Sequence, residues 1–162
     1  MKARLAILNA TRADIPRLVK IFENPDLKTS TDESTWFVNC YFDYHNVLVA
    51  KIDGEIQGAC FWRIEGERYS GLGWIENLWV EERFRKIGLG ERLLVRAVSD
   101  VRTFFKDHGV TPRKIVLTTQ AEREDARRLY EKVGFRRVAS IEGMYDPGGQ
   151  DMMYMLDLER EK

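Results

Sequence analysis

The chain has no uninterrupted run of the roughly 18 apolar residues that a membrane-crossing helix requires, so a spanning segment is not expected. The opening Met1 to Asn9 carries Lys2 and Arg4 but no apolar leader core, so export is not expected either. Net charge is also missing. The 26 basic residues balance 26 acidic ones, leaving no global field to draw the chain to nucleic acid or to a membrane surface, and neither is an expected partner. Any anion site must therefore be local. Cysteine is scarce: Cys40 and Cys60 lie in apolar stretches without a second metal-type pair, which predicts two buried thiols, no metal, and a reducing cytoplasmic location. Histidine is scarcer in meaning than in number. His45 and His108 fall at predicted element ends, where capping or solvation is expected, and neither forms a Cys-His nucleophile pair. No repeat, low-complexity tract or long linker interrupts the chain, and 162 residues suit one domain over 1–162.

What is present is an orderly alternation of elements. Arg4 to Ala10 reads as a strand, and Thr11 with Asp14 makes a carboxylate variant of the capping box opening a helix over Arg12 to Glu23, stopped by Asn24-Pro25. Thr31 to Tyr44 carries Trp36, Phe37, Cys40, Tyr41 and Tyr44 at three- and four-residue spacings, predicting an aromatic stripe on one helix face, with core packing favoured over a substrate pocket. Val47 to Ile52 and Ile56 to Ile64 flank Asp53-Gly54, a hairpin turn whose two positions need positive φ. After a turn region from Gly66 to Gly73, Trp74 to Val80 extends the meander. Gly90 to Lys106 places Leu93, Leu94, Ala97, Val98, Val101, Phe104 and Phe105 at helical spacing. Lys114 to Thr119, Phe135 to Ile141 and Met152 to Leu158 read as strands, and Glu122 to Val133 as a helix stopped at Gly134. The order β-α-α-β-β-β-α-β-α-β-β predicts a mixed α/β (α+β) fold, with helices on both faces of the sheet and a parallel strand pair around the long helix.

The segment Trp79-Val80-Glu81-Glu82-Arg83-Phe84-Arg85-Lys86-Ile87-Gly88-Leu89-Gly90 carries the chemistry. Arg85 and Lys86 supply positive charge, Gly88 and Gly90 let main-chain N–H groups approach an anion, and the helix that opens there adds its positive dipole end. A dinucleotide fingerprint would require a third glycine at position 93, where Leu93 stands, and no phosphate-loop Gly-Lys-Ser/Thr ending occurs. A pyrophosphate cradle without metal ligands remains.

Downstream, Ala126-Arg127-Arg128-Leu129-Tyr130-Glu131-Lys132-Val133-Gly134-Phe135 closes a helix on Gly-Phe. Together with Ile75-Glu76-Asn77-Leu78-Trp79-Val80 and the Arg85 to Gly90 turn, it resembles the GNAT superfamily of N-acetyltransferases, in an element order matching nearly the whole chain. The resemblance implies a mostly antiparallel seven-stranded sheet with splayed central parallel strands, and acetyl-CoA as cosubstrate. It implies that Leu78, Trp79 and Val80 offer main-chain groups to the pantetheine arm. It further implies that Arg85, Lys86, Ile87, Gly88, Leu89 and Gly90 wrap the pyrophosphate. Tyr130 matches the family tyrosine near the CoA sulfur, a cofactor contact and general acid for the departing thiolate. Ala126, Leu129, Tyr130 and Val133 also share one helix face, so Tyr130 has a core-aromatic reading beside the catalytic one.

Acetyl transfer needs a neutral amine, and a lysine-like amine of pKa about 10.4 is over 99.9% protonated at pH 7. Glu76 alternates onto one strand face with Leu78 and Val80 and sits where polyamine-type relatives place a general base, acting directly or through water. One departure stands out: Arg123 occupies the position, seven residues before Tyr130, where many relatives carry asparagine. Arg123, Arg127 or Arg128 meeting the CoA 3′-phosphate is the alternative to a solvated basic face. The implied function is acetyl transfer to a primary amine by direct attack, a small-molecule amine being favoured. A protein or peptide N-terminal or lysine acceptor is the second reading, because Met144 to Asp151 faintly resembles endings of protein N-terminal acetyltransferases. A non-catalytic acetyl-CoA-binding sensor domain is the third. Tyr41, Tyr44, Trp62, Tyr69, Trp74 and Tyr145 are candidates for an aromatic acceptor pocket. Pairing or packing through Met152-Met153-Tyr154-Met155 makes a homodimer the expected assembly.

Overall fold

A computed structural model describes residues 4–23 and 30–159. The elements are β1 (Leu5–Asn9), a 3-10 turn (Arg12–Asp14), α1 (Ile15–Phe22), α2 (Thr31–Tyr44), β2 (Asn46–Ile52), β3 (Glu55–Ile64), β4 (Leu72–Val80), α3 (Leu89–Asp107), β5 (Lys114–Gln120), α4 (Glu124–Val133), β6 (Arg136–Glu142) and β7 (Gln150–Asp157). They build a seven-stranded sheet of order β1-β2-β3-β4-β5-β7-β6, antiparallel except where β4 meets β5. The element order and the mostly antiparallel sheet match the expectation, including the Asp53-Gly54 turn, where φ is 51° and 89°. The helix stop expected at Asn24-Pro25 lies outside the described residues.

Both faces of the sheet are covered, so β2 and β3 are apolar almost continuously rather than in alternation. Leu48, Cys60, Ile75 and Leu117 point to the face under α3 and α4, where they join Leu93, Leu94, Phe105 and Tyr154. Val49, Ala59 and Phe61 point to the other face, against Leu18, Val38 and Tyr41 of α1 and α2. The helix α3 lies very close to the strands. A Cβ on Gly73 would sit 2.7 Å from Val101 Cγ1, so any side chain there would push α3 off β4.

Three expectations need correction. The stripe on α2 is not one face: Ser34, Val38 and Tyr41 are its buried residues, whereas Trp36 and Tyr44 are 63% and 80% exposed. Trp36 is two residues from both Ser34 and Val38, about 200° away around the helix. The methionine-rich segment cannot pair across a dimer, because β7 is already hydrogen-bonded to β5 on one side and β6 on the other. Cys60 is fully buried as expected, but Cys40 is only partly so; both are free thiols.

The start of α1 shows how one carboxylate can organise three segments. Asp14 Oδ2 accepts from the Thr11 N–H at 2.9 Å and its hydroxyl at 3.2 Å, while Oδ1 accepts from Lys51 Nζ of β2 at 2.6 Å. Burial raises the Asp14 pKa, but Lys51 and the Thr11 bonds outweigh it and leave it below the usual carboxylate value. A lowered folded pKa gives stability that is present above the unfolded value and lost as pH falls through the folded one. Asp14→Ala is expected to cost about 1–3 kcal/mol in urea unfolding at neutral pH. The difference from wild type should shrink as pH drops below about 4.

Candidate active site

Strands β4 and β5 pair only from Leu72 to Ile75 against Lys114 to Leu117. Beyond that point Glu76–Val80 and Thr118–Gln120 diverge. The cause lies on the opposite edge of β4, where Phe61 faces Asn77 and Trp62 faces Ile75, leaving Glu76 as the extra residue of a bulge. A bulge bends its strand and increases the local twist, which carries the end of β4 away from β5. Leu78 and Val80 turn their side chains to the α3/α4 core and Trp79 turns to the α1/α2 side, so what these residues present to the gap is main chain.

The chain leaves β4 through a 3-10 turn (Glu82–Phe84). Lys86 (φ 63°) and Gly88 (φ 85°) both adopt the left-handed conformation, which winds the backbone tightly before α3. That helix begins at Leu89 with no side-chain cap, so its first-turn N–H groups remain for an anion. Leu89 itself is buried and anchors the turn, while Arg85, Lys86 and Ile87 are exposed. Arg85 is not simply a free charge: its Nε donates to the Val80 carbonyl at 3.0 Å and ties the turn to the end of β4. Gly90 abuts both Val80 and Leu129 of α4. The end of β4, the turn and the middle of α4 therefore adjoin, as a pyrophosphate and its pantetheine arm would require.

Tyr130 packs within this region, 8% exposed, its ring 6.3 Å from Phe135 and 6.0 Å from Tyr154. Burial pushes its pKa up to about 12, with Arg123 opposing and Cys60 adding to the shift. The hydroxyl thus keeps its proton at neutral pH. Cys60 is the cross-strand partner of Leu78, which sets Tyr130 beside the open stretch of β4. Of the arginines on α4, Arg128 is exposed and pairs with Glu124 at 2.6 Å, and Arg127 has a buried Nε without a partner.

Glu76 departs from the expected geometry. Because the bulge adds a residue, it does not share a face with Leu78 and Val80 but points to the α2 side. There it accepts from Arg63 Nε, while Arg63 Nη1 bonds Glu65 and the guanidinium lies 5.3 Å over the Trp74 ring. Tyr41 stands nearby, its hydroxyl pKa raised first by burial and then by the charge of Glu76. The ring of His45 packs on Tyr41 at 4.8 Å, and its Nδ1 is buried without a hydrogen bond. Burial, then Arg63, lowers the His45 pKa, so the imidazole is neutral. Both histidines take the capping place expected: His45 is the C-cap of α2, its N–H bonded to the Tyr41 carbonyl at 2.9 Å though its ring is part-buried, and His108 caps α3, its Nδ1 lying 2.7 Å from the Phe104 carbonyl. The connection between β6 and β7 closes the other side: Tyr145 OH meets Thr118 Oγ1 at 3.2 Å and Asp146 accepts from Gln120 Nε2 at 2.8 Å. Of the six candidate pocket aromatics, Tyr41, Trp74 and Tyr145 surround this cluster. Trp62 belongs to the α3 core, and Tyr44 and Tyr69 are exposed. Among the described residues no group of three His, Cys, Asp or Glu side chains could hold a metal, and no helix is long and apolar enough to cross a membrane.

A family model described as an acetyltransferase (GNAT) domain matches residues 43–137. A curated N-alpha-acetyltransferase of Sulfurisphaera tokodaii is 26% identical over 152 residues, 88% of this chain and 86% of the relative. The fold is also that of Arabidopsis thaliana NAA60 solved with a bisubstrate analogue (TM-score 0.74, 23% identity, 95% of this chain and 98% of that one). A GNAT family acetyltransferase of Elizabethkingia anophelis solved with acetyl-CoA bound has a TM-score of 0.71 at 18% identity, covering 95% of this chain and 98% of that one.

The left-handed turn gives a direct test of the cradle. Nothing lies within 4 Å of a Cβ on Gly88, so a substitution there strains the backbone and fills open space rather than the core. Gly88→Val is expected to weaken acetyl-CoA binding roughly tenfold in calorimetry, with the circular dichroism spectrum unchanged.

Proposed function

The chain belongs to the GNAT acetyltransferase family, the acyl-CoA-dependent N-acetyltransferases, and from that premise we propose that its acceptor is the free α-amino group of a peptide or protein N-terminus. The observation that carries this reading is the openness of the acceptor side. Glu76 lies between α2 and the 143–149 turn, and Tyr145 on that turn is 57% exposed. Sites for small molecules enclose most of their ligand, whereas an exposed rim such as Tyr145 lets a chain run on beyond the reacting group. Similarity to an N-alpha-acetyltransferase along most of both chains supports the same acceptor. A small-molecule amine, favoured by sequence alone, is the second reading.

Acetyl-CoA supplies an acetyl group already activated as a thioester. In our reading the main chain of Leu78, Trp79 and Val80 aligns its pantetheine arm. The Arg85 to Gly90 turn, with Arg85, Lys86, Ile87, Gly88, Leu89 and Gly90, holds its pyrophosphate. Exposed N–H groups of β4 steady the oxyanion as the amine attacks the carbonyl. As the neutral amine attacks, Glu76 takes the proton that its nitrogen then releases, directly or through a water, and the protonated Tyr130 hydroxyl donates to the departing sulfur.

A thiol-release assay with acetyl-CoA is the test, run against peptides with free N-termini, Nα-blocked lysine peptides, amino acids, polyamines and aminoglycosides. Turnover on free N-termini is expected; turnover confined to polyamines or aminoglycosides would replace the reading with a small-molecule acceptor. Tyr130→Phe is expected to lower kcat about tenfold, a modest loss because a thiolate is already a good leaving group, with little change in the KM for acetyl-CoA. Glu76→Gln should lower kcat/KM for the acceptor by roughly 10- to 100-fold. Unchanged rates in either variant would remove that residue from the mechanism.

A further inference from the structure

Arg63 stands where two carboxylates of the acceptor side converge. From β3 it binds Glu76 through Nε and Glu65 through Nη1, and its guanidinium is stacked over Trp74. Burial works against its charge, but the bond and charge of Glu76, followed by those of Glu65, raise its pKa overall. It is thus a fixed cation. The neighbouring titratable groups are Tyr41 of α2 and His45 just after it, with Tyr145 of the 143–149 turn beyond Tyr41. The shifts of Tyr41 and His45 leave both uncharged near neutral pH. The local field is therefore that of Arg63 against Glu65 and Glu76.

An ammonium entering beside Glu76 would meet a carboxylate already paired. To stay charged it must displace the guanidinium or lose hydration without a partner, and both are costly. A neutral amine incurs neither cost. We propose that Arg63 is a specificity-determining residue that restricts the acceptor to amines arriving uncharged, by occupying the carboxylates that would otherwise hold an ammonium. This rests on the α-amine reading above and gives it a cause. At pH 7.5 an α-amino group of pKa about 7.8 is roughly a third neutral, and a lysine-type amine of pKa about 10.4 only about 0.1% neutral.

Two measurements test the assignment. In the wild-type enzyme, kcat/KM between pH 6 and 9 is measured with peptides whose N-terminal residues differ in α-amine basicity; the inflection is expected to move with the pKa of the acceptor. In Arg63→Met, whose side chain keeps an apolar stem at Trp74, the ratio of kcat/KM for an Nα-blocked lysine peptide over a free-α-amine peptide is expected to rise roughly tenfold or more. The rise should come through a lower KM for the lysine peptide, with the KM for acetyl-CoA unchanged, and Arg63→Lys should restore the wild-type ratio. Equal losses on both acceptors, or an inflection fixed at one pH for every acceptor, would overturn the proposal. Should Arg63→Met fail to fold, Arg63→Gln is measured in its place, and an acceptor ratio equal to that of the wild type would overturn the proposal. A wild-type preference for lysine peptides or polyamines would sink the α-amine reading itself, so the two failures are distinguishable.

Discussion

Everything functional in this fold follows from the short parallel contact between β4 and β5. Main-chain pairing from Leu72 to Ile75 locks the two strands, and its loss after Ile75 opens the one parallel junction among the described strands. The bulge at Glu76 bends β4 away, while the close seat of Val101 over Gly73 holds the paired part in place. Opening a sheet in its middle removes main-chain hydrogen bonds that would otherwise be made, and such groups seek other partners. Here the free edge of β4 leads into a 3-10 turn whose Glu81, Phe84 and Arg85 N–H groups are already bonded, and open N–H groups resume at the uncapped start of α3.

The gap also joins two unlike surfaces. On the α3/α4 side the environment is apolar, with the protonated hydroxyl of Tyr130 beside it. On the α2 side lie Glu76, Arg63, Glu65 and the aromatic rings of Tyr41 and Trp74. A chain of zero net charge can still make strong local fields, because low exposure limits screening where the groups are close. That is why the balanced composition excluded a global field without excluding charged sites.

Much of this was legible in the sequence. Asp53-Gly54 announces the hairpin, the apolar spacing from Leu93 to Phe105 gives α3 its buried face, and Gly88 marks the turn because a left-handed residue is needed there. The acceptor side was less legible, for physical reasons. A bulge adds one residue to one strand and leaves no composition signal, so simple alternation set Glu76 on the face of Leu78 and Val80 when it lies on the other. Arg63 and His45 meet Glu76 only through cross-strand and helix-sheet contacts, which spacing along the chain does not encode. The aromatic spacing of α2 is only partly informative: Phe37 and Tyr41 pack against Phe61 with Val38 beside them, whereas Trp36 and Tyr44 face outward.

The placement of β7 between β5 and β6 has a consequence for the route by which the chain folds. Of the seven described strands β7 is synthesised after the other six, yet it occupies an interior position and supplies Tyr154 and Leu156 to the main core. Until it inserts, β5 has only its short parallel contact with β4, the kind of non-local pairing that forms slowly. The open edge of β5 is then exposed in an intermediate and is a place for misassembly between chains. Of the two strands that frame the gap, β4 is held along its length by its neighbour β3, so it is β5 whose second edge waits on β7.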